Sequence, residues 1–241
     1  MSEIFGLHAV EAALSEAPER IRVLYVQKGR EARKQALVDH AREVGVRVEF
    51  VDRRWLDARV DGAHQGVVAE SQALAPADEK ALEARWTELA APRLLLVLDG
   101  VQDPRNLGAC LRSAGAAGVQ AVLLPKRNSA PLSPAALKTA AGVAERLFVV
   151  SVVNLARRLA WLKAQGAWVI GAAGDAPARF FEADLTRDTV LVLGGEEKGL
   201  RRLTREHCDA LVSIPMAGGV ESLNVSVAAG ILLFEAVRQR S

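Results

Sequence analysis

The feature that most constrains the fold is an alternation of short apolar runs with helical segments, which begins at Arg93. The first run is unbroken, as expected of a strand that helices cover on both faces. The predicted strands are Leu94–Leu98, Ala121–Leu124, Leu147–Val150, Trp168–Ala172, Thr189–Leu193 and Leu211–Ile214. The predicted helices are Asn106–Ala117, Pro134–Ala140, Asn154–Gln165, Leu200–His207 and Val225–Val237. This alternation predicts an α/β fold, a mostly parallel sheet with helices on both faces.

Residues 1–70 form a smaller α/β pattern of their own. The predicted elements are the helices Leu7–Glu16 and Glu31–Val44 and the strands Ile21–Val26, Val46–Val51 and Gly66–Glu70. This unit is too small for a complete nucleotide-binding fold, so we interpret it as a recognition module. The tripeptide Arg53-Arg54-Trp55 could contact RNA through charge and stacking, although a solvated basic turn is the simpler interpretation.

Residues 71–92 separate the two patterns and are rich in alanine and acidic side chains. The segment lacks the Gly and Ser bias of a flexible tether. We therefore predict that this linker contains a helix, with Trp86 and Leu89 packed on a domain. The second domain then spans residues 93–241.

Composition excludes several classes of protein. Half of the residues are hydrophobic and a quarter are charged, which suits a folded core rather than disorder. No apolar stretch has membrane-spanning length, and the N-terminus lacks the pattern of a secretory signal. Cys110, Cys208 and the four histidines show no metal-ligand spacing. We expect a cytoplasmic protein that uses no metal.

The positive charge is concentrated in the second domain. Residues 93–241 carry 18 Lys and Arg against 13 Asp and Glu, whereas residues 1–69 carry 11 of each. Most of these cations are arginines, which suit bidentate contacts with phosphate. This distribution weakly favours a nucleic-acid partner.

Three stretches place glycines and polar side chains at strand ends. The first, residues 98–119, holds Asn106, which can cap the following helix, and Arg112, which is otherwise interpreted as a surface arginine covering alanines. Gly108 and Gly115 each cost about 1 kcal/mol inside a helix and so indicate close packing.

The second stretch, residues 191–200, reads LVLGGEEKGL and puts exposed amides and carboxylates at the carboxyl end of a strand. Ligands of open α/β sheets bind at such ends, although a tight turn with solvated charges would look the same. No G-x-G-x-x-G fingerprint occurs, which disfavours a dinucleotide-dependent oxidoreductase.

The third stretch, residues 211–240, contains a short strand, a loop with Gly218 and Gly219, and a strongly apolar helix. Ser222 and Asn224 directly precede that helix. Either residue could simply cap it, because short polar side chains satisfy free N–H groups. The alternative is that they belong to an active site.

Together the three stretches resemble the motifs of the SpoU family, RNA ribose 2′-O-methyltransferases of the trefoil-knotted SPOUT class. The first domain is similar to that family's small RNA-binding domain. The resemblance implies transfer of a methyl group from S-adenosyl-L-methionine to the ribose 2′-hydroxyl of a guanosine in 23S rRNA, in the P-loop of the peptidyl-transferase centre. It also implies a homodimer and a knot, an exception to the rule that chains do not thread loops.

The resemblance also assigns site residues. Its cofactor-binding set maps onto Gly194, Gly195, Ile214, Met216 and Leu223. Its catalytic set maps onto Asn106, Arg112, Glu196, Ser222 and Asn224. Glu197 stands where the family has a small residue, and we choose Glu196 by its position after the glycines.

Two other functions fit the same residues. One is a 2′-O-methyltransferase that acts on tRNA, and the other is a non-catalytic RNA-binding or ribosome-assembly protein. For catalysis, an arginine is almost never deprotonated, so we expect Arg112 to clamp a phosphate beside the target ribose rather than to act as a base.

Overall fold

A computed structural model describes residues 2–29, 31–72, 74–196, 198–220 and 222–241, with Ser2 described by its backbone alone. Glu197 and Glu221, which belong to the second and third stretches, lie outside these residues. The strands are β1 Ser2–Phe5, β2 Ile21–Gln27, β3 Arg47–Val51, β4 Val67–Ser71, β5 Leu94–Asp99, β6 Ala121–Pro125, β7 Val149–Val152, β8 Trp168–Ala172, β9 Ala178–Arg179, β10 Thr189–Gly194 and β11 Ala210–Ser213. The helices are α1 Leu7–Glu16, α2 Ala32–Glu43, α3 Arg53–Asp57, α4 Glu79–Arg85, α5 Pro104–Ala116, α6 Pro134–Ala140, α7 Leu155–Ala164, α8 Arg202–Glu206 and α9 Val225–Arg240.

The larger sheet has the order β7-β6-β5-β10-β8-β11-β9, and its described strand pairs are all parallel. The predicted parallel α/β fold is confirmed. β5 and β10 are neighbours in the middle of the sheet, and their register ends with Gly194 opposite Asp99. The first and second stretches therefore leave the sheet side by side, at its carboxyl edge.

Helices cover both faces of this sheet. Leu94, Leu96 and Leu98 of β5 point into a core shared with α5, α6 and α9. The alternate residues, Leu95 and Val97, point into a second core shared with α4 and α7. This division follows from the period of two along a strand, and it explains why β5 is apolar throughout.

The smaller sheet has the order β1-β4-β2-β3, with β2 and β3 parallel and the remaining pairs antiparallel. Its three predicted strands are confirmed to within one residue at either end, but β1 and α3 were not predicted. His64 lies in the predicted turn before β4 and is buried there. Its Nδ1 accepts from the Gly66 N–H at 2.9 Å, so the neutral ring carries its proton on Nε2, which lies 2.9 Å from Asp57 Oδ1.

The connecting segment packs against the larger unit as predicted. It contains α4, and the side chains of Leu82, Trp86 and Leu89 are buried in the core shared with α7. The buried guanidinium of Arg158 on α7 pairs with Glu79 and Glu83. These contacts hold the segment along the sheet.

α9 is longer than predicted. The apolar pattern ended it at Val237, but the helix continues to Arg240. The Arg240 guanidinium donates to the carbonyl oxygens of four residues, Pro92, Arg93, Leu185 and Arg187. These bonds fix the last turn, which apolar periodicity could not indicate. Within the described ranges, no helix is both long and apolar enough to cross a membrane.

Candidate active site

The first turn of α5 frees Asn106 for other contacts. Asp103 is the N-cap, and its Oδ1 accepts from the backbone N–H groups of Arg105 at 2.6 Å and Asn106 at 3.4 Å. The prediction that Asn106 caps this helix was wrong. Pro104 gave the signal, because proline favours the first helical position and places the cap one residue earlier.

Asn106 instead joins the three stretches through its side chain. Its Nδ2 donates to Glu196 Oε1 at 2.8 Å, and its Oδ1 accepts from Asn224 Nδ2 at 2.9 Å. The other carboxylate oxygen, Glu196 Oε2, accepts from the Gln102 N–H at 3.4 Å. We call the connected side chains of Glu196, Asn106 and Asn224 the amide network.

Asn224 is both a helix cap and a member of this network. Its Oδ1 accepts from the Ser226 N–H at 2.9 Å and from Ser226 Oγ at 2.6 Å. Since a backbone N–H can only donate, Oδ1 must face α9 and Nδ2 must face Asn106. An ionised carboxylate can only accept, so Asn106 Nδ2 must face Glu196. The network therefore has one direction of donation, and each amide keeps one N–H for a ligand.

The glycines at the end of β10 allow the chain to pack closely against neighbouring backbone. A Cβ atom at Gly194 would overlap the main chain of Gly199 and Leu200, and one at Gly195 would overlap the Gly100 carbonyl oxygen. The Gly195 N–H donates to the Asp99 carbonyl oxygen at 3.0 Å. Gly194 and Gly195 thus pack directly against neighbouring main chain at the end of β5, which only glycine permits here.

The third stretch places apolar side chains at the surface. Met216 and Leu223 are each 37% exposed, and Val220 is 54% exposed. Ile214 is half-buried and packs on the core that contains α9. Exposed apolar side chains in the stretch that leads to Asn224 are suited to a ligand or a partner surface.

Arg112 and Ser222 do not join the amide network. Both side chains are exposed, and neither makes a hydrogen bond or ion pair with another residue that the structure describes. Arg112 follows Asn106 by six residues and so lies about 120° around α5 from it. Their assigned roles stay predictions.

The ionisable side chains of Cys110 and Asp99 are buried close to the site. Burial raises the pKa of the Cys110 thiol to about 12, and the nearby Glu196 carboxylate acts in the same direction. Asp99 is almost fully buried, accepts from the Arg201 N–H at 3.1 Å, and pairs with the Arg201 guanidinium. This ion pair links the end of β5 to Arg201, which directly follows the second stretch.

Sequence reasoning missed four residues of this region, which are Asp99, Gln102, Asp103 and Ser226. An acid that ends an apolar strand was a usable signal for Asp99. Gln102 contributes only its backbone, so no side-chain pattern could have indicated it. Among the residues described, no group of three or more His, Cys, Asp or Glu could hold a metal ion.

The fold and the site together define a two-unit α/β protein whose polar network lies at the carboxyl edge of a parallel sheet, where such folds bind ligands and carry out transfer chemistry. Residues 93–234 match the SpoU rRNA methylase family, and residues 4–77 match the domain described as RNA 2′-O ribose methyltransferase substrate binding. The chain belongs to the SpoU rRNA methylase family.

Similar proteins extend this match over the whole chain. Proteins named 23S rRNA (guanosine-2′-O-)-methyltransferase RlmB from Pseudomonas syringae pv. tomato and Escherichia coli K12 are 51% and 50% identical, each across 100% of this chain and 97% and 100% of their own lengths. The crystal structure of the SpoU methyltransferase AviRb from Streptomyces viridochromogenes, in complex with the cofactor AdoMet, has a TM-score of 0.83 at 25% identity, covering 99% of this chain and 90% of its own.

Proposed function

We propose that this protein transfers a methyl group from S-adenosyl-L-methionine to the ribose 2′-hydroxyl of a guanosine in 23S rRNA. The observation that carries the proposal is the amide network, which links Asn106, Glu196 and Asn224 across 90 and 118 residues of sequence. The names of the two 50–51% identical relatives support the reaction and the substrate. A protein that only binds RNA has no need for three loops joined through a directed set of hydrogen bonds.

The residues present fit the methyl donor. Gly194 and Gly195 are partly exposed and leave room where a side chain would not fit, and Met216 and Leu223 of the third stretch expose apolar side chains for contact with a ligand. Ile214 is half-buried in the same stretch. Such a lining suits a molecule with a flat purine, whose faces pack on apolar side chains and whose edges bond to backbone groups. S-adenosyl-L-methionine, when bound, supplies an electrophilic methyl group.

The network would then orient the nucleophile. A ribose hydroxyl is a weak nucleophile, so the protein must align it. As the oxygen takes the methyl group and the donor's carbon–sulfur bond breaks, the hydroxyl proton would pass to solvent water. The free N–H groups of Asn106 and Asn224 can donate to the hydroxyl oxygen, and Ser222 can add a third polar contact. Glu196 is held by two donors, which favours an orienting role over proton removal.

Arg112 would act on the substrate phosphate. It is exposed and has no carboxylate partner within the described ranges. A guanidinium makes bidentate contacts with phosphate and stabilises negative charge that develops nearby. This assignment needs no deprotonated arginine.

The separation of Arg112 from the amide network supports a homodimer. Val227 and Phe234 lie seven residues apart on one face of α9 and are 50% and 51% exposed. Half-buried Ile231 lies between them, and Gly230 faces Ser113 of α5. Pairing two such faces would bury this apolar stripe and would let Arg112 reach the partner's site. Light scattering that reports a monomer at micromolar concentration would contradict this arrangement.

Further parts of the proposal rest on the resemblance. The chain divides into an RNA-binding domain at 1–70, a linker at 71–92 and a methyltransferase domain at 93–241, and the last contains the knot. The protein acts in the cytoplasm, where the proposed RNA substrate is made. The matched substrate-binding domain at residues 4–77 supports the first division.

The direct test is methyl transfer to purified RNA. Tritium-labelled S-adenosyl-L-methionine is incubated with the protein and, in parallel, with 23S rRNA and tRNA transcripts made in vitro. We expect label in 23S rRNA, and mass spectrometry of nuclease digests should place it on the 2′-oxygen of one guanosine. Label in tRNA alone would show that the substrate is tRNA and not 23S rRNA. Absence of label together with no calorimetric heat from the donor would favour a binding protein.

A further inference from the structure

A cleft of about 830 Å³ separates the two units beside α5 and α6. Arg105 and Lys138 lie on the wall formed by the larger unit, and Phe5 and Asp61 lie on the facing wall. Arg105 directly precedes Asn106 on α5. One wall of the cleft therefore begins one residue before Asn106, and the cleft lies between α5 and the substrate-binding domain.

The wall of the larger unit presents two cations. The side chains of Arg105 and Lys138 are exposed and form no ion pair with any described residue. The Lys138 ammonium lies 4.9 Å from the centre of the Phe5 ring, and a Cβ atom at Gly62 would lie 2.8 Å from that ring. The ring is thus held in place, and it positions the ammonium at the cleft.

The facing wall presents one acid that is free to accept hydrogen bonds. Arg59 donates to both Glu3 and Glu70, and its guanidinium lies 4.9 Å from the ring centres of Tyr25 and Trp55. Arg22 also pairs with Glu70, so the two arginines together balance the charges of Glu3 and Glu70 within the wall. Asp61 is exposed and has no such partner in the described part of the chain.

The two walls call for a ligand with an anion at one end and N–H donors at the other, and with an apolar face between. A nucleotide has this distribution, because its phosphate is anionic and the edges of guanine, adenine and cytosine carry N–H groups. Single-stranded RNA is recognised through such splayed bases, stacking and phosphate contacts.

We propose that this cleft binds one nucleotide of the RNA strand adjacent to the methylated residue. Its phosphate contacts Arg105 and Lys138, its base packs beside Phe5, and an N–H edge donates to Asp61. The inference rests on the proposed function in that it takes RNA as the substrate. It adds a second point of attachment, which would hold the strand in register with the amide network.

Binding without the methyl donor tests the phosphate contacts. The doubly substituted R105Q/K138Q protein and the wild type are compared by filter binding to a 23S rRNA transcript over a range of salt. We expect roughly tenfold weaker binding, and a plot of log affinity against log salt shallower by about 0.7 for each lost contact with single-stranded phosphate. The control is Arg157→Gln on α7, an exposed arginine on the other face of the sheet. Identical curves for the double variant and the wild type would overturn the proposal.

Asp61→Asn tests the base contact by the sign of its effect. If Asp61 merely repels RNA, removing its charge tightens binding. If it accepts from a base edge, the amide offers one acceptor where the carboxylate offers two, and binding weakens. We expect weaker binding, and tighter binding would overturn the assignment. Ultraviolet crosslinking of the unmodified transcript should label peptides that contain Phe5 or Lys138, and labels confined to other surfaces would also contradict the proposal.

Methyl transfer by the same proteins separates the two proposals. A wild type that binds RNA through the cleft but transfers no methyl group would remove the proposed function and leave the cleft in place. If the wild type transfers methyl groups and the cleft variants bind RNA and turn over equally well, the proposed function stands and the cleft proposal fails.

Discussion

The first turns of α5 and α9 resemble each other, but the asparagine near the start of each helix has a different role. Each helix follows a loop at the carboxyl edge of the sheet, and each has an asparagine near its start. In α9, Asn224 is the cap itself and also donates to Asn106. In α5, Asp103 takes the capping role, and both ends of the Asn106 amide are used in the network.

The two asparagines therefore differ in how much of the side chain serves helix stability and how much is left for the active site. A cap must spend its oxygen on backbone N–H groups, so Asn224 has only its NH₂ group for the site. Asn106 has no such duty, and it can therefore bridge a carboxylate and another amide. We infer that α9 anchors the network and that α5 supplies its central member.

Asn106→Ala should give the largest loss of activity. It removes both network bonds at once, while Asp103 still caps α5. We expect kcat/KM for methyl transfer to fall by about 10²–10³, as for loss of a preorganised polar group, with little change in Tm. Activity assays on 23S rRNA transcripts and calorimetry measure the two quantities. Near-normal turnover would show that the network is structural only.

Two substitutions at Asn224 should separate its two roles. Asn224→Asp retains the capping oxygen and removes the donor to Asn106, so activity should fall by about tenfold or more with Tm unchanged. Asn224→Ala should lose activity and also about 1 kcal/mol of stability. Asn154 caps α7 through the Arg157 N–H at 3.0 Å and lies outside the network.

Asn154→Ala is therefore the matched control for the cap. It should lower stability by a similar amount and leave methyl transfer unchanged. Should Asn224→Asp behave like wild type in both assays, α9 would contribute a cap and nothing more.

Arg112→Lys tests the part of α5 that lies outside the network. Lysine keeps the charge but loses the planar fork that binds phosphate at two points. We expect kcat to fall on the order of tenfold, with little effect on Tm because the side chain is exposed. An unchanged kcat would exclude both a phosphate clamp and a proton acceptor at this position.

The other end of α9 should show the smallest effect, a small stabilisation at neutral pH that is lost in acid. Hydrogen bonds from Arg238 and Gln239 lower the pKa of Glu235 from 4.5 to about 2. A lowered pKa stabilises the fold above the unfolded value, and that stability is lost as the pH falls from about 4.5 towards 2. Glu235→Gln should lower Tm slightly at pH 7 and flatten the decline in Tm between pH 5 and 3. A parallel decline in both proteins would contradict the assignment.

Much of the fold could be predicted because its signals are local. The continuous apolar run at Leu94–Leu98 and the alternation that follows it indicate a buried parallel sheet wherever they occur. The short edge elements β1, β9 and α3 were missed, because each is too brief for a periodic pattern. The end of α9 was missed because the bonds of Arg240 reach carbonyl oxygens far away in sequence.

The residues of the candidate site could be predicted, but the contacts between them could not. Glycines and polar side chains at strand ends indicated three loops, and the resemblance selected residues from them. Which of these residues touch depends on the sheet order, which places β5 beside β10 although 89 residues lie between the end of β5 and the start of β10. Asn106, Glu196 and Asn224 meet for that reason, whereas Arg112 faces another direction around the same helix.

By itself, the sequence determined the α/β class, the positions of most helices and strands, and the loops that hold the polar residues. These follow from periodic burial and from the backbone preferences of glycine and proline, which act over a few neighbouring residues. The tertiary structure alone decided which asparagine caps and which bridges, and it formed the cleft between the units. A hydrogen bond depends on the distance and direction of two groups in space, and no local pattern contains that information for residues about 100 positions apart.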